Sequence, residues 1–196
     1  MNTKTLALTI VFAAVTVALN PAITGMAVPA PYAPFLFYQI WEIPIVVAFL
    51  LIGPKYGAAI SVLNTAVLLA LFPGASPTGP FYNFVAGLSM LLGIYLAYKL
   101  VTSRQKTDNF TFRYGTKAIA FSAVLGIVLR VGIMSITTYA LLRYPPPVGY
   151  AMSEATVIYW VPFIAFFNFT LALYTIPLGF LIAKVVSSNL KLQNQS

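Results

Sequence analysis

From Trp41 to Phe72 the chain reads WEIPIVVAFLLIGPKYGAAISVLNTAVLLALF, two apolar segments hinged at Gly53-Pro54-Lys55-Tyr56-Gly57, with Glu42 at the start and Asn64 inside the second. Apolar segments that meet at such a turn read as a membrane hairpin, because hydrocarbon offers the backbone no hydrogen-bond partner and helices satisfy themselves. Each polar group placed there costs free energy, so each calls for a structural partner or a ligand.

The remainder of the 196 residues extends this reading, with 60% hydrophobic residues, 7% charged residues and a mean hydropathy of +0.91. A globular domain clothes its core in polar side chains, and too few are present here, so the expected class is an integral membrane protein. Histidine and cysteine are absent, and Glu42, Asp108 and Glu154 are the only acids. That set excludes thiolate or imidazole metal sites and Ser-His-Asp catalysis, so no catalytic residue, metal ligand or cofactor is assigned. No GxxxxGK[ST] motif occurs. If solute moves uphill, the energy must come from an ion gradient or from another subunit.

Six stretches qualify as spans, at roughly 5–20, 43–52, 56–72, 81–101, 116–143 and 157–187. The expected architecture is therefore an all-α, six-transmembrane-helix bundle, a single transmembrane domain over residues 1–196, with a long capping loop between helices one and two. That link carries Pro21, Pro29, Pro31 and Pro34 and is rich in aromatics from Tyr32 to Trp41, too apolar for a solvated linker. The first span follows a single lysine and precedes no small-residue cleavage site, so it is expected to stay as a helix. With six spans, Lys4, Lys55, Lys99, Arg104, Lys106, Arg113, Lys117, Lys184 and Lys191 fall on the side of the termini. The positive-inside rule then puts both termini in the cytoplasm. The net charge of +8 is explained by topology and gives no sign of nucleic acid.

Several polar groups approach the opposite side: Glu42, Asn83 and Glu154 at similar depth, Asn64 and Asn168 deeper, and Arg130 near the middle of its span. An asparagine in such a helix either bonds a neighbouring helix or meets a ligand. Arg130 likewise either pairs with Glu42 or Glu154, or favours an anionic or carbonyl-bearing ligand. The aromatics Phe35, Tyr38, Trp41, Tyr82, Tyr139 and Trp160 surround these positions and serve as interface anchors or as stacking partners for a flat ring. Small residues recur at four in helix one (Ala14, Ala18) and helix five (Ala118, Ser122, Gly126), a spacing that permits close approach, either of neighbouring helices or of a partner protein.

Taken in order, FLFYQIWEIP, GPKYG, VLNTAVLL, GPFYNFVAGLS and PFIAFFNF resemble the substrate-binding S components of energy-coupling factor (ECF) transporters, most of all their riboflavin-specific branch. There the corresponding stretches look like FLKYDPSDIP, GPxxG, a Lys-Asn pair, a glycine before NFxxG, and FNxxK. The resemblance implies a membrane subunit that captures a vitamin, riboflavin first, under its first loop. It also implies release to the cytoplasm in complex with a transmembrane coupling subunit and two ATPase subunits. Asn83 and Asn168 become ligand contacts, Leu36, Tyr38 and Glu42 belong to the capping and entry region, and Asn64 matches the helix-three asparagine. Tyr82 and Arg130 complete the candidate site, and Ala14 and Ala18 face the coupling protein. The chain departs from the pattern at Phe37, Gln39, Trp41 and Leu63, and above all at Leu171, where FNxxK has a lysine. Another flat vitamin or heterocycle, an ion-driven small-solute transporter and a membrane scaffold are the alternatives.

Overall fold

The computed structural model describes residues 3–25, 28–71, 77–102 and 116–190. Its elements run α1 (Thr3–Ala18), α2 (Pro21–Thr24), β1 (Val28–Ala30), β2 (Ala33–Tyr38), α3 (Glu42–Leu51), α4 (Pro54–Leu71), α5 (Thr78–Thr102), α6 (Thr116–Leu141) and α7 (Glu154–Leu190). Phe72, the loop residues 73–76 and the basic run of Arg104, Lys106 and Arg113 lie outside the described residues.

Four helices, α4 to α7, are long and apolar enough to cross a membrane, whereas α1 and α3 are apolar but shorter, at 16 and 10 residues. Their surfaces are inverted relative to a soluble protein. On α6 the buried stripe carries Ser122, Arg130 and Thr138, while Val124, Val128 and Ile136 are exposed. Apolar side chains facing outward and polar ones inward is the arrangement that hydrocarbon solvent favours.

The link after α1 is not the irregular loop expected, and the fold is not purely α. Asn20 starts α2 by accepting a hydrogen bond from the Ala22 amide at 3.0 Å, Pro21 fills the first helical position, and Gly25 ends the turn in the left-handed region at φ 68°. An antiparallel hairpin follows, with Val28 opposite Tyr38 and Pro29 opposite Phe37. Pairing within the hairpin satisfies backbone groups in a segment too proline-rich for helix. The hairpin packs on α7 through Ala30, Tyr32, Leu36 and Tyr38 against Phe167, Leu171 and Tyr174.

At the centre stands α3, of whose ten residues all but Leu51 are buried. A helix apolar on every side is stable only when neighbours surround it, and α1, α4 and α7 do so. Its turn into α4 needs Gly53, at φ 124°, a backbone conformation closed to β-carbon residues. Elsewhere α5 and α6 run against each other at Gly93, where an added Cβ would lie 2.5 Å from the Leu125 carbonyl oxygen and 2.6 Å from the Gly126 Cα. Backbone atoms cannot step aside as a flexible side chain can. Gly93→Leu should therefore destabilise the protein by at least about 1–3 kcal/mol, read as a lowered melting temperature in detergent; an unchanged melt would show that α5 and α6 do not meet so closely.

Candidate ligand-binding site

The polar centre is built on three helices. Glu42 opens α3, where the first-turn amides favour a carboxylate. Arg130 lies on the buried stripe of α6 and Asn168 on α7, and all three are at least 97% buried. The guanidinium grips the carboxylate with two nitrogens, Nη1 to Oε2 and Nη2 to Oε1, the latter at 3.0 Å. Its Nε donates to Asn168 Oδ1 at 3.0 Å, and Nη1 also approaches Met90 Sδ on α5 at 3.6 Å. Asn168 Nδ2 in turn donates to the Ile164 carbonyl at 2.9 Å. A bidentate fork is the geometry in which a buried pair recovers most of its desolvation penalty. Of the two partners open to Arg130, Glu42 is the one it takes.

Glu154 stays apart, and the similar depth expected for Glu42 and Glu154 does not hold. Glu42 sits at the level of Arg130, whereas Glu154 is exposed at the bundle end, accepting from the Tyr139 hydroxyl at 3.0 Å and lying 3.5 Å from Arg143. The Arg143 guanidinium covers the Tyr139 ring at 4.7 Å. This clasp joins the end of α6 to the start of α7.

Over the centre lies the hairpin, fastened to α7 by hydroxyls. Tyr38 bonds Tyr32 at 2.7 Å and Thr170 Oγ1 at 2.9 Å, and the Tyr174 hydroxyl donates to the Gln39 carbonyl at 2.6 Å. Burial, then the bond with Tyr38, pushes the Tyr32 hydroxyl from 10.0 up to about 12, so it remains a neutral hydrogen-bonding group. Leu36 also reaches a second cluster, with Leu142, Tyr82 of α5, and Val157, Trp160 and Ile164 of α7. The Phe35 ring meets Trp160 edge to face at 4.7 Å.

Polar atoms are left over inside the bundle. Asn64 Oδ1, the Tyr82 hydroxyl, Ser122 Oγ, Thr138 Oγ1, Thr175 Oγ1 and Trp41 Nε1 are buried without a hydrogen-bond partner among the described residues. Asn83, half-buried on α5, has no hydrogen-bond partner among the described residues. Of the residues singled out from sequence, Glu42, Arg130 and Asn168 thus come together as one network. Leu36 of β2 packs with Tyr82 of α5, Tyr38 faces α7, and Asn64 and Asn83 stand on α4 and α5 outside that network. Ala14 and Ala18 are exposed on α1. No sequence motif marks Met90 as a partner of Arg130, or Trp41 and Thr138 as carriers of buried polar atoms.

The same architecture appears in a solved structure described as the S component of a bacterial ECF transporter, with a TM-score of 0.72, 23% identity, and coverage of 96% of this chain and 98% of that one. The fold is that of an ECF-transporter S component. Among curated proteins, the riboflavin transporter RibU of Staphylococcus aureus (strain TCH60) is 28% identical over 121 residues, which take in 61% of this chain and 57% of the relative. The match thus spans little more than half of that protein. No family model matches the chain. Both similarities agree with the resemblance carried by the five sequence stretches.

The ion pair itself is open to a direct test of what holds the bundle. Glu42→Leu or Arg130→Met alone should cost about 3–5 kcal/mol by stranding a buried charge, and the double variant should recover most of that loss. Thermal or denaturant unfolding in detergent would report it; additive losses in the double variant would mean that the pair does not act as a unit.

Proposed function

We propose that this chain is the vitamin-binding S component of an ECF-type importer, a transport subunit without enzymatic activity, with riboflavin as its ligand. The observation that carries the reading is the pair of buried, unpartnered polar atoms at Asn64 and Tyr82, the latter packed with Leu36 of the hairpin, in a chain with this fold. Orphaned polar groups are rare in native interiors, and those grouped near an aromatic roof suit a flat ligand with hydrogen-bonding edges. Asn83 and Asn64 would meet such a ligand, with Leu36 and Tyr82 against its ring. Glu42, Arg130 and Asn168 would form the floor, and Tyr38 would hold the hairpin closed.

In this reading the four long helices and the shorter α1 and α3 all cross the bilayer, both termini are cytoplasmic and the hairpin faces outward. Release to the cytoplasm would depend on a coupling subunit with two ATPases, docked on the exposed α1 face that carries Ala14 and Ala18, because small residues allow a partner helix close. Another flat vitamin or heterocycle is favoured over riboflavin by one observation. Leu171, at the position of the motif lysine, is fully buried with Ala30 and Phe167 and offers no donor.

Detergent-purified protein should bind riboflavin saturably, quench its fluorescence and melt at a higher temperature in its presence, since a ligand of the folded state stabilises it by mass action. Asn83→Ala should weaken binding by about 1–3 kcal/mol if its amide meets the ligand in a dry pocket. No binding across a panel of flavins at micromolar concentration would defeat the riboflavin assignment. Uptake that persists after every ATPase partner is removed would favour an ion-driven transporter.

A further inference from the structure

Several helix hydroxyls in this bundle satisfy themselves on the preceding turn. Thr16 donates to the Phe12 carbonyl at 2.7 Å, Thr65 to Ser61 at 3.0 Å, Ser89 to Ala86 at 2.8 Å and Thr170 to Phe166 at 3.1 Å. Thr138 has the same option on α6. It is nevertheless 99% buried with Oγ1 unpartnered, a state it shares with Ser122 and Thr175 and with the ring hydroxyl of half-buried Tyr82 on α5.

These two hydroxyls belong to one layer. Helices α5 and α6 are antiparallel neighbours, in contact where Gly93 meets Gly126 and where Met90 Sδ meets Arg130. Counting eight residues toward the hairpin on each helix brings Tyr82 opposite Thr138, about 12 Å beyond the ion pair. The same count along α7 from Asn168, which accepts from Arg130, reaches Trp160. Tyr82, Trp160 and Leu36 pack in one apolar cluster, and Phe35 closes on Trp160. The layer therefore offers aromatic and aliphatic faces and two hydroxyls, each able to donate and to accept.

We propose that Thr138 and Tyr82 form a paired hydroxyl subsite for the edge of a flat heteroaromatic ligand in which a carbonyl adjoins a ring nitrogen. Trp160 and Leu36 supply its apolar walls. This deepens the vitamin-binding reading above and rests on it. It adds Thr138, a residue outside every stretch that carried the resemblance, as a specificity determinant.

The test uses full-length protein in detergent, with riboflavin and with lumiflavin, the ring system lacking the sugar chain. Thr138→Val is nearly isosteric and Tyr82→Phe removes only an oxygen. Each should weaken binding of both flavins about ten-fold, the effect of one lost hydrogen bond to a ligand in a dry site. Neither should lower the melting temperature without ligand, because an unpartnered hydroxyl has no bond to lose. Thr138→Ser should restore affinity. Ser122→Ala, two turns beyond Arg130 in the other direction and also unpartnered, should leave affinity unchanged. Binding within two-fold of wild type in both Thr138→Val and Tyr82→Phe would overturn the subsite while leaving the flavin reading intact. Weakening confined to riboflavin would overturn the ring-edge assignment, since the hydroxyls would then meet the sugar chain. A wild-type protein that binds neither flavin would overturn both readings.

Discussion

The bundle is organised around one buried ion pair, Glu42 with Arg130. A carboxylate and a guanidinium withdrawn from water are tolerable only if every donor and lone pair finds a partner. Here the fork-to-fork contact, the Asn168 amide and the Met90 sulfur share that task, and they come from α3, α6, α7 and α5. The requirement fixes how these helices stand. Apolar packing alone is non-directional and tolerates sliding, whereas a bidentate pair does not. The level of the pair also divides the bundle. Toward the Gly53 turn, α5 and α6 close on each other through Gly93; buried polar atoms remain unspent on both sides, at Tyr82 and Thr138 on one and at Ser122 and Thr175 on the other.

The hairpin is positioned by the same economy of polar groups. A two-stranded sheet alone is marginal in water, and this one is held by being pinned to α7. Its pins are hydroxyls from Tyr32, Tyr38, Thr170 and Tyr174, together with apolar contacts to Phe167 and Leu171. Tyr38 and Leu36 both contact α7, Tyr38 through Thr170 and Leu36 through Phe167 and Leu171, and Leu36 reaches on to Tyr82 of α5. One strand thus fastens the roof and lines the space below it.

Hydropathy made the long helices legible because hydrocarbon solvent leaves no other backbone solution. The hairpin was hidden for a physical reason. In APFLFY every residue of β2 is apolar or proline, so the alternation that betrays a half-buried strand is missing, although burial along it does alternate at its end. The site was legible residue by residue but not as a network. Arg130 had two carboxylates to choose from, and only the fold shows Glu42 at its level. For Asn168 the sequence leaves a helix bond and a ligand contact open, and in the fold its Oδ1 serves the guanidinium and its Nδ2 serves Ile164. Thr138 left a usable signal. The four-residue ladder Ala118, Ser122, Gly126, a spacing for close approach of a helix or a partner protein, continues through Arg130, Met134, Thr138 and Leu142, and Ser122 through Leu142 are buried at each step.

That ladder also bears on the missing lysine. With Leu171 buried against Phe167 and Ala30, the α7 position below the hairpin contributes packing rather than a charged donor. A ligand with carbonyl and nitrogen edges still needs partners, and a site with none would select against such a ligand. On the hairpin side of the ion pair, the unspent hydroxyls are on other helices, Tyr82 of α5 and Thr138 of α6, and the amides of Asn64 on α4 and Asn83 on α5 add to them. The burden of recognition would therefore shift from α7 to the opposite wall. Neutral hydroxyls and amides there both donate and accept, which suits an uncharged ring and leaves Arg130 fully committed to Glu42.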